Sequence, residues 1–320
     1  MTVDIQQAAR LLLEKDNIVI FAHRKPDGDA IGSCFGLCYA LQLLGKKARV
    51  ECADPLMTGR YEGIFGAYTP EDFAPEFLVA ADVADASLLA GVHEKYESPV
   101  HLNIDHHPSN SFFAEHTLLE PTAGAAAEIV SKVIAAMGVT PDKNVANAIF
   151  LGLSTDTGCF RFSNTTAQTH RIAAEMLGYG AEGARINSLM FLTSTKGRLA
   201  VERTLLDTIT YHFDDRCAVA YLPCAVVSDF HVQEDELEGI ASLVNTIEGV
   251  YAGVTIRERT DGTFRISLRT RDPVNASRIC AAFGGGGHKN AAGCVLAADM
   301  GIEKAKEKIL AVVGVELASC

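Results

Sequence analysis

The sequence lacks the features by which membrane, secreted and zinc-thiolate proteins are usually recognised. No apolar run reaches the roughly 18 residues that a transmembrane helix requires. The N-terminal stretch MTVDIQQAARLLLEKD mixes polar and apolar side chains and has no cleavable apolar core, so we expect no signal peptide. Nine cysteines are scattered without a Cys-x-x-Cys pair. Together these absences predict a cytoplasmic protein with reduced thiols and no membrane partner.

Basic residues are also scarce. The chain has 28 Lys and Arg against 40 Asp and Glu, which gives a formal net charge of −12. Such a balance disfavours a protein that coats long nucleic acid through its phosphates. It leaves open a short anionic substrate that binds in a local basic pocket. Composition does not decide the oligomeric state, and a homodimer stays open.

The first 190 residues alternate between strand-like and helix-like segments. The apolar runs NIVIFAH, EFLVAADVA and PVHLNIDHH predict strands over 17–23, 76–84 and 99–107. The stretches AIGSCFGLCYALQLLG, TAGAAAEIVSKVIAAMG and DKNVANAIFLGLSTDTG predict helices. This alternation predicts an N-terminal doubly wound α/β domain with a mostly parallel sheet over residues 1–190.

The pattern changes after residue 190. Residues 191–212 predict a loop and an amphipathic helix, which we assign to a connector. Residues 213–320 predict a smaller C-terminal α/β domain, with a β-hairpin through Asp261-Gly262, a glycine run and a final helix over 301–313. We expect the active site to lie in the cleft between the two domains.

Aspartates and histidines follow several of the predicted strands. Because ligands bind outside the carboxyl ends of the strands in an open α/β sheet, these side chains should meet at one edge. Any single Asp of the set is as well explained by a helix cap or a turn. Asp82 is harder to explain in that way, because it ends a nearly all-apolar strand where a lone carboxylate is costly to bury. The full set is His23, Asp27, Asp29, Asp82, Asp105, His106, His107 and Asp156.

Several carboxylates at one edge repel one another unless positive charge lies between them. Arg24 and Lys25 could supply part of that charge. Two divalent ions would supply more, and mixed imidazole and carboxylate ligands suit Mn²⁺ better than Mg²⁺. Two ions about 3.5–4 Å apart are typical of hydrolytic displacement at phosphorus. We therefore expect two divalent ions, with Mn²⁺ the best fit.

A locally basic region surrounds the glycine run FGGGGHKNAAGC. Residues 251–290 hold seven Lys and Arg against three Asp and Glu. Glycines let backbone N–H groups approach an anion closely. If HKNAAG opens a helix, the helix N-terminus adds positive potential. We predict a phosphate or carboxylate site here, with a flexible loop and a solvated hairpin face as the alternatives. On the predicted strand, period two places Arg265, Ser267, Arg269 and Arg271 opposite Phe264, Ile266 and Leu268.

Five motifs in order resemble the DHH phosphoesterase family. The spacing His23-x3-Asp27-x-Asp29 resembles the first motif and Asp82 the second. NIDHHPSN resembles the third, and STDTGCFRFSNTT over 154–166 the fourth. GGGGHKNAAG over 284–293 is similar to the motif of the DHH-associated C-terminal domain. The resemblance covers nearly the whole chain, and the five motifs together are far more specific than the triplet alone.

The resemblance implies a role for each candidate residue. One ion would be bound by His23 and Asp27 and the other by Asp29 and His106, with Asp82 between them and Asp156 completing the second site. Asp105 would orient a histidine, and His107 would contact the scissile phosphate or a bound water, which makes these two the catalytic candidates. The substrate's non-scissile end would be held by Arg269, Gly284, Gly285, Gly286, Gly287 and His288.

Arg161 stays ambiguous, because it could contact the phosphate or pair with a carboxylate. Within the family, the resemblance is to small two-domain members that degrade very short oligoribonucleotides and remove the 3′-phosphate from pAp (adenosine 3′,5′-bisphosphate). It implies a two-metal phosphoesterase for substrates of about two to four nucleotides, or for pAp, and no long nucleic acid. The alternatives are a cyclic or linear di-AMP phosphodiesterase and a non-catalytic nucleotide-binding sensor.

Overall fold

The chain forms two compact units, Met1–Thr193 and Ser194–Cys320. A computed structural model describes residues 1–57, 59–237 and 239–319. None of the helices in these ranges combines the length and the apolar content that a membrane span needs. The cysteines described there are all free thiols.

A five-stranded parallel sheet forms the centre of the first unit, in the order β2-β1-β3-β4-β5. β1 and β3 are buried along their whole length, as the continuous apolar runs predict for strands covered on both faces. β5 was not among the predicted strands, because its four residues, HTLL, carry too weak an apolar pattern. The strands are β1 Ile18–Phe21, β2 Ala48–Glu51, β3 Phe77–Ala81, β4 Leu102–Asp105 and β5 His116–Leu119.

The two faces of this sheet are covered differently. One face packs against α1, α2, α4 and α5, through strand residues such as Ile20 and Val79. The other face, which includes Phe21 and Leu78, is covered by irregular chain and two short 3₁₀ helices, Ala86–Leu89 and Glu94–Tyr96. The helices are α1 Ile5–Glu14, α2 Gly28–Leu43, α3 Arg60–Phe65, α4 Ala126–Ala136, α5 Lys143–Asp156, α6 Ala167–Gly178 and α7 Gly183–Asn187, which continues as a π-helix, Ser188–Leu192.

Helices α2 and α5 touch through glycines. A Cβ atom on Gly32 would come within 2.5 Å of the Ala148 carbonyl oxygen and 2.6 Å of the Gly152 nitrogen. A Cβ on Gly152 would in turn lie 2.7 Å from Asp29 Oδ1. The two backbones therefore approach more closely than any side chain allows, and α2 is buried along most of its length. This contact sets the N-terminus of α2 beside the C-terminus of α5.

The second unit is built on a six-stranded mixed sheet, in the order β10-β11-β9-β8-β7-β6. β7 and β8 are parallel and the other neighbours are antiparallel. The strands are β6 Thr210–His212, β7 Cys217–Leu222, β8 Ala252–Glu258, β9 Phe264–Thr270, β10 Gly286–His288 and β11 Ala291–Leu296. The helices are α8 Lys196–Asp207, α9 Cys224–Asp229, α10 Ala241–Asn245, α11 Ala276–Ala281 and α12 Gly301–Ala318.

The predicted hairpin is present, but the segment after the glycine run is not a helix. β8 and β9 pair across a turn that contains Gly262 at φ +78°. β9 alternates as its sequence predicts, with Phe264, Ile266 and Leu268 buried. HKNAAG instead lies in the β10–β11 hairpin. His288 ends β10, Lys289 and Asn290 form the turn, and residues 291–293 begin β11, whose backbone pairs with β9. The expected helix N-terminus is therefore absent at this position.

Helix α8 belongs to the second unit, although its sequence lies within the segment assigned to a connector. Val201 and Leu205 are fully buried and pack with Ala218 and Ala220 of β7. The amphipathic face that the sequence predicts is thus buried against this sheet.

We expect Gly32→Ala to destabilise the protein by about 1–3 kcal/mol or more, because the new methyl group would meet the backbone of α5 rather than a movable side chain. The free energy of unfolding from urea titration measures this. Gly178→Ala is the matched control, since a Cβ there has no atom within 4 Å. That variant should be neutral or stabilised by up to about 1 kcal/mol. Equal free energies of unfolding for the Gly32→Ala and Gly178→Ala variants would contradict the close contact between α2 and α5.

Candidate active site

Three parallel strands bring polar side chains to one edge of the first sheet. His23 lies two residues beyond β1, and Asp82 follows β3 directly. Asp105 is the last residue of β4, and His106 and His107 come next. These residues meet at the carboxyl edge because the strands are parallel and adjacent.

Two further aspartates enter at the N-terminus of α2. Asp27 is the N-cap and accepts the backbone N–H of Asp29 at 3.0 Å. Asp29 is 1% exposed and lies in the first turn. Its carboxylate accepts hydrogen bonds from Ser33 Oγ at 3.1 Å and from the N–H groups of Ala126 and Ala127 at 2.6 and 3.0 Å. Both carboxylates are therefore held in place before any ligand binds.

Asp156 arrives from a helix rather than from a strand. It is the last residue of α5, and its Oδ2 lies 3.8 Å from His106 Nε2. The glycine contact between α2 and α5 makes this possible, because it brings the end of α5 to the start of α2.

These side chains form two groups that could each hold a metal ion, the His23–Asp27–Asp82 triad and the Asp29–His106–Asp156 triad. Asp82 joins them, because its Oδ2 lies 3.9 Å from His23 Nε2 while its Oδ1 lies 3.6 Å from His106 Nε2. A third group contains Asp82, His106 and His107. The carboxylate of Asp82 thus faces both triads, one oxygen toward each histidine.

In each triad, a backbone carbonyl orients the single histidine. His23 Nδ1 lies 2.9 Å from the Arg24 carbonyl oxygen, and His106 Nδ1 lies 3.2 Å from that of Ala123. Because a carbonyl oxygen can only accept, Nδ1 carries the hydrogen in each ring. In the neutral imidazole, Nε2 then presents a lone pair toward the carboxylates, which is the arrangement that metal-binding histidines use.

The pKa shifts of Asp82 and Asp156 indicate that these carboxylates have too little positive charge around them. Burial raises the pKa of Asp82 well above its usual value, and the nearby charges of Asp29 and Asp27 raise it further. Burial also raises the pKa of Asp156 to about 7, again with a contribution from Asp29. Asp82 Oδ1 is buried and has no hydrogen-bond partner among the described residues. An orphaned carboxylate oxygen between two imidazoles fits a divalent ion.

Arg24 and Lys25 form no ion pair with a carboxylate of the site in the described part of the chain. The backbone of Lys25 donates to Asp54 at 2.9 Å. Both residues are exposed where the chain leaves the sheet edge, so the suggestion from the sequence that they supply positive charge has no support from an ion pair.

Asp105 and His107 form a separate pair beside the triads. His107 Nδ1 lies 2.8 Å from Asp105 Oδ1, and Asn110 Nδ2 donates to Asp105 Oδ2 at 2.5 Å. The hydrogen bond that His107 donates to the Asp105 carboxylate raises the pKa of His107. Asp105 is fully buried, whereas the side chain of His107 is 44% exposed. Asp105 therefore fixes the ring and leaves Nε2 of His107 directed away from it.

Arg161 lies on a turn that follows Asp156. Gly158, Cys159 and Phe160 adopt φ values of +57°, +59° and +62°, and Arg161 Nε donates to the Gly158 carbonyl at 2.6 Å. The structure places Arg161 in no ion pair with a described carboxylate, so the structural alternative from the sequence has no support.

The second unit carries a basic groove of about 700 Å³ along β9 and β11. Arg265 and Arg269 both line it, and neither pairs with a carboxylate in the described ranges. Burial lowers the pKa of Arg269, and the charge of Arg265 lowers it further. Arg271, by contrast, lies beyond the groove and donates to the Asn245 carbonyl at 2.8 Å. Two guanidinium groups that line one groove without a carboxylate partner among the described residues favour an anionic ligand.

At three of the four positions of the glycine run, backbone conformation or close packing explains why the residue is glycine. Gly284 has φ +71°, and a Cβ on Gly285 or Gly287 would come within 2.3–2.5 Å of β11 backbone. Gly286 has open space around it and lines the groove together with Gly284 and Gly285. His288 ends β10 and is exposed, outside the residues that line the groove.

Sequence reasoning missed two asparagines that hold catalytic candidates in place. Asn110 contacts Asp105, and Asn164 Nδ2 donates to Asp156 Oδ2 at 3.2 Å. Both lie inside motifs that the sequence already singles out, NIDHHPSN and STDTGCFRFSNTT. An asparagine within eight residues after a candidate aspartate is the signal that could have identified them.

The chain is similar to known proteins along nearly its full length. A curated relative from Thermus thermophilus, bifunctional oligoribonuclease and PAP phosphatase NrnA, is 37% identical over 94% of this chain and 90% of its own. An exopolyphosphatase-related protein from Bacteroides fragilis shares the fold with a TM-score of 0.86, at 24% identity over 97% of this chain and 95% of that one.

RecJ from Thermus thermophilus, solved with Mn²⁺, has the same type of fold at a TM-score of 0.58 and 13% identity, over 97% of this chain and 55% of that one. Models of the DHH family N-terminal domain and of the DHHA1 domain match residues 17–153 and 214–315. The chain therefore belongs to the DHH family and carries a DHHA1 domain in its second unit.

Proposed function

We propose that this protein is a two-metal phosphoesterase that hydrolyses very short oligoribonucleotides and removes the 3′-phosphate of pAp. The observation that carries the proposal is Asp82. Its buried carboxylate belongs to the first triad, also faces His106 of the second, and has an oxygen with no hydrogen-bond partner among the described residues. The Thermus thermophilus relative, which is named for both activities, supports the substrate class.

The two triads would hold the ions, one at His23, Asp27 and Asp82 and the other at Asp29, His106 and Asp156. Divalent ions at such a site supply Lewis acidity toward phosphoryl oxygens. Mn²⁺ is our choice, because imidazole and carboxylate together suit it and because a fold relative was solved with it. Backbone carbonyl and N–H groups orient the histidine and aspartate ligands before the substrate arrives, so little reorganisation accompanies binding.

His107 would handle a proton. Its raised pKa keeps a larger share of the ring protonated near neutral pH, and Asp105 holds Nδ1. Nε2 then has a hydrogen to donate to a phosphoryl or leaving-group oxygen. Arg161, on the turn after Asp156, would add a second positive group for the phosphate.

The groove of the second unit would bind the substrate's non-scissile end. Arg265 and Arg269 supply the charge there, and Gly286 lets a ligand approach the backbone. His288 lies at the exposed end of β10, outside the residues that line the groove, and its assignment to the same group rests on the resemblance of GGGGHKNAAG to the family motif. A cytoplasmic location and a homodimer stay predictions of the sequence.

A substrate panel separates this function from its alternatives. The protein with added Mn²⁺ is incubated with pAp, a 5′-phosphorylated diadenylate, cyclic di-AMP and pyrophosphate, and the products are resolved by chromatography. We expect turnover of the first two. Preferential cleavage of cyclic di-AMP would favour a cyclic dinucleotide phosphodiesterase, and binding without turnover would favour a nucleotide sensor.

We expect Asp82→Asn to lower kcat by more than about 100-fold, because the ions supply several kcal/mol of transition-state stabilisation and lose their shared carboxylate. Metal content, measured by elemental analysis after reconstitution with Mn²⁺, should fall from two ions to one or none. Asp72→Asn is the control for charge, since Asp72 is fully exposed. Absence of bound metal from the unaltered protein would refute the two-metal proposal.

We expect Arg269→Ala and His288→Ala to raise KM or lower kcat/KM by about 30-fold to 1,000-fold, equivalent to about 2–4 kcal/mol, through loss of a charged phosphate contact. Gly286→Ala should weaken binding without loss of stability, because its methyl group would enter open space in the groove. Metal content should stay unchanged in all three.

Arg278→Ala is the matched control for these variants, because it removes the same charge from an exposed side chain 3.8 Å from Glu316 and outside the groove. Its kinetics should equal those of the unaltered protein. Normal kinetics in both Arg269→Ala and His288→Ala would show that the groove does not bind substrate.

We expect kcat/KM to be highest for substrates of about two to four nucleotides and to fall with length, because added nucleotides gain few contacts on a protein of net charge −12. A series of 5′-labelled oligoribonucleotides from about two to about twenty-four residues tests this. Efficiency that stays level or rises toward the longest member would instead indicate a processive exonuclease.

A further inference from the structure

The chain that leads into the start of α4 contacts two ligands of the Asp29–His106–Asp156 triad directly. We call residues 123–127, which include the first two residues of α4, the triad loop. The Ala123 carbonyl accepts His106 Nδ1 at 3.2 Å. The N–H groups of Ala126 and Ala127 donate to Asp29 at 2.6 and 3.0 Å. The position of this backbone therefore sets the direction of both ligands.

The third ligand is linked to the same loop through one asparagine. Asn164 Nδ2 donates to the Gly124 carbonyl at 2.9 Å and to Asp156 Oδ2 at 3.2 Å. In the ranges the structure describes, the loop makes no hydrogen bond to His23 or Asp27. One triad thus depends on the triad loop, whereas the other is oriented by Arg24 and by the N-terminus of α2.

A buried carboxylate that the proposed chemistry does not use anchors this loop. Glu128 is 3% exposed. Its Oε2 accepts hydrogen bonds from the Gly124 N–H at 3.3 Å and from Thr169 Oγ1 of α6 at 3.1 Å. A Cβ on Gly124 would lie 2.7 Å from Thr169 Oγ1 and 2.9 Å from the Asn164 carbonyl oxygen, so the loop backbone touches these groups directly.

We propose that Glu128 is a positioning residue for the ion at the Asp29–His106–Asp156 triad. It fixes Gly124 against α6, and Gly124 in turn fixes the carbonyl and N–H groups that orient the three ligands. The inference rests on the proposed two-metal function. It adds that the two ion sites are supported separately, so a change at Glu128 weakens one site and leaves the other intact.

Glu128 acts as a hydrogen-bond acceptor rather than through its charge. Lys132 Nζ lies 3.1 Å from Oε1 and also 2.8 Å from Glu120, so the negative charge is already paired. The two contacts that reach the loop and α6 both use Oε2. Glutamine keeps an acceptor oxygen at this position, so Glu128→Gln should rescue what Glu128→Ala loses.

The test is titration of the metal-free full-length protein with Mn²⁺ by isothermal calorimetry, which reads out binding without turnover. We expect the unaltered protein to bind two ions. Glu128→Ala should weaken one of them by about 10–100-fold, the usual effect of removing a group that orients a metal ligand, and leave the other unchanged. Glu128→Gln should bind both ions within a few-fold of the unaltered protein.

Glu120→Gln is the matched control. It removes the other carboxylate that contacts Lys132 but has no side-chain contact with Gly124 or Thr169 among the described hydrogen bonds. It should bind both ions normally. If circular dichroism shows that Glu128→Ala is unfolded, Thr169→Val is tested instead, because it removes a donor to Oε2. It also removes the acceptor of the Thr166 N–H in the cap of α6. That variant should also weaken a single site.

Several results would overturn the inference. One is normal Mn²⁺ affinity at both sites in Glu128→Ala, or in Thr169→Val where that variant replaces it. Another is an equal loss of affinity at both sites. A third is a Glu128→Gln variant that binds Mn²⁺ as weakly as Glu128→Ala. A loss in Glu120→Gln as large as that in Glu128→Ala would also overturn it. If the unaltered protein failed to bind two ions, the proposed function itself would be wrong, and this inference with it.

Discussion

Mutual repulsion among buried carboxylates is the constraint on which the first unit depends. Asp29 and Asp82 are almost fully buried at the same sheet edge, and Asp156 lies within the same cluster. Backbone N–H groups at the start of α4 compensate Asp29, but Asp82 Oδ1 has no such partner in the described chain. A divalent ion at the proposed site would compensate the remaining charge, and Asp82 adopts a positive φ of +62° at this position.

Glycines allow the backbone contacts that bring the carboxylates of the site together. Gly32 and Gly152 let α2 and α5 approach at backbone distance, which delivers Asp156 to a site that the strands alone would leave incomplete. Gly124 does the same for the triad loop and α6. In the second unit, Gly285 and Gly287 let β10 lie close on β11, and the groove forms beside them. The glycines that allow close packing therefore also position the residues of the candidate site and of the groove.

The two units divide the chemical work by charge. The first unit concentrates carboxylates that could hold metal ions, and the second places Arg265 and Arg269 in one groove. The chain's net charge of −12 offers little beyond these two places for a longer strand. The proposed preference for short substrates rests on this distribution of charge.

The sequence by itself determined the features that local patterns encode. Apolar runs predict β1, β3 and β4, and the polar residues that end them predict the site edge, because strand periodicity and burial are properties of neighbouring residues. Only the tertiary structure decided the contacts between distant segments. These include the delivery of Asp156 by α5, the hairpin in place of a helix at HKNAAG, and the support from Asn164 and Glu128. No local pattern specifies which backbones pack together, and that packing places these groups.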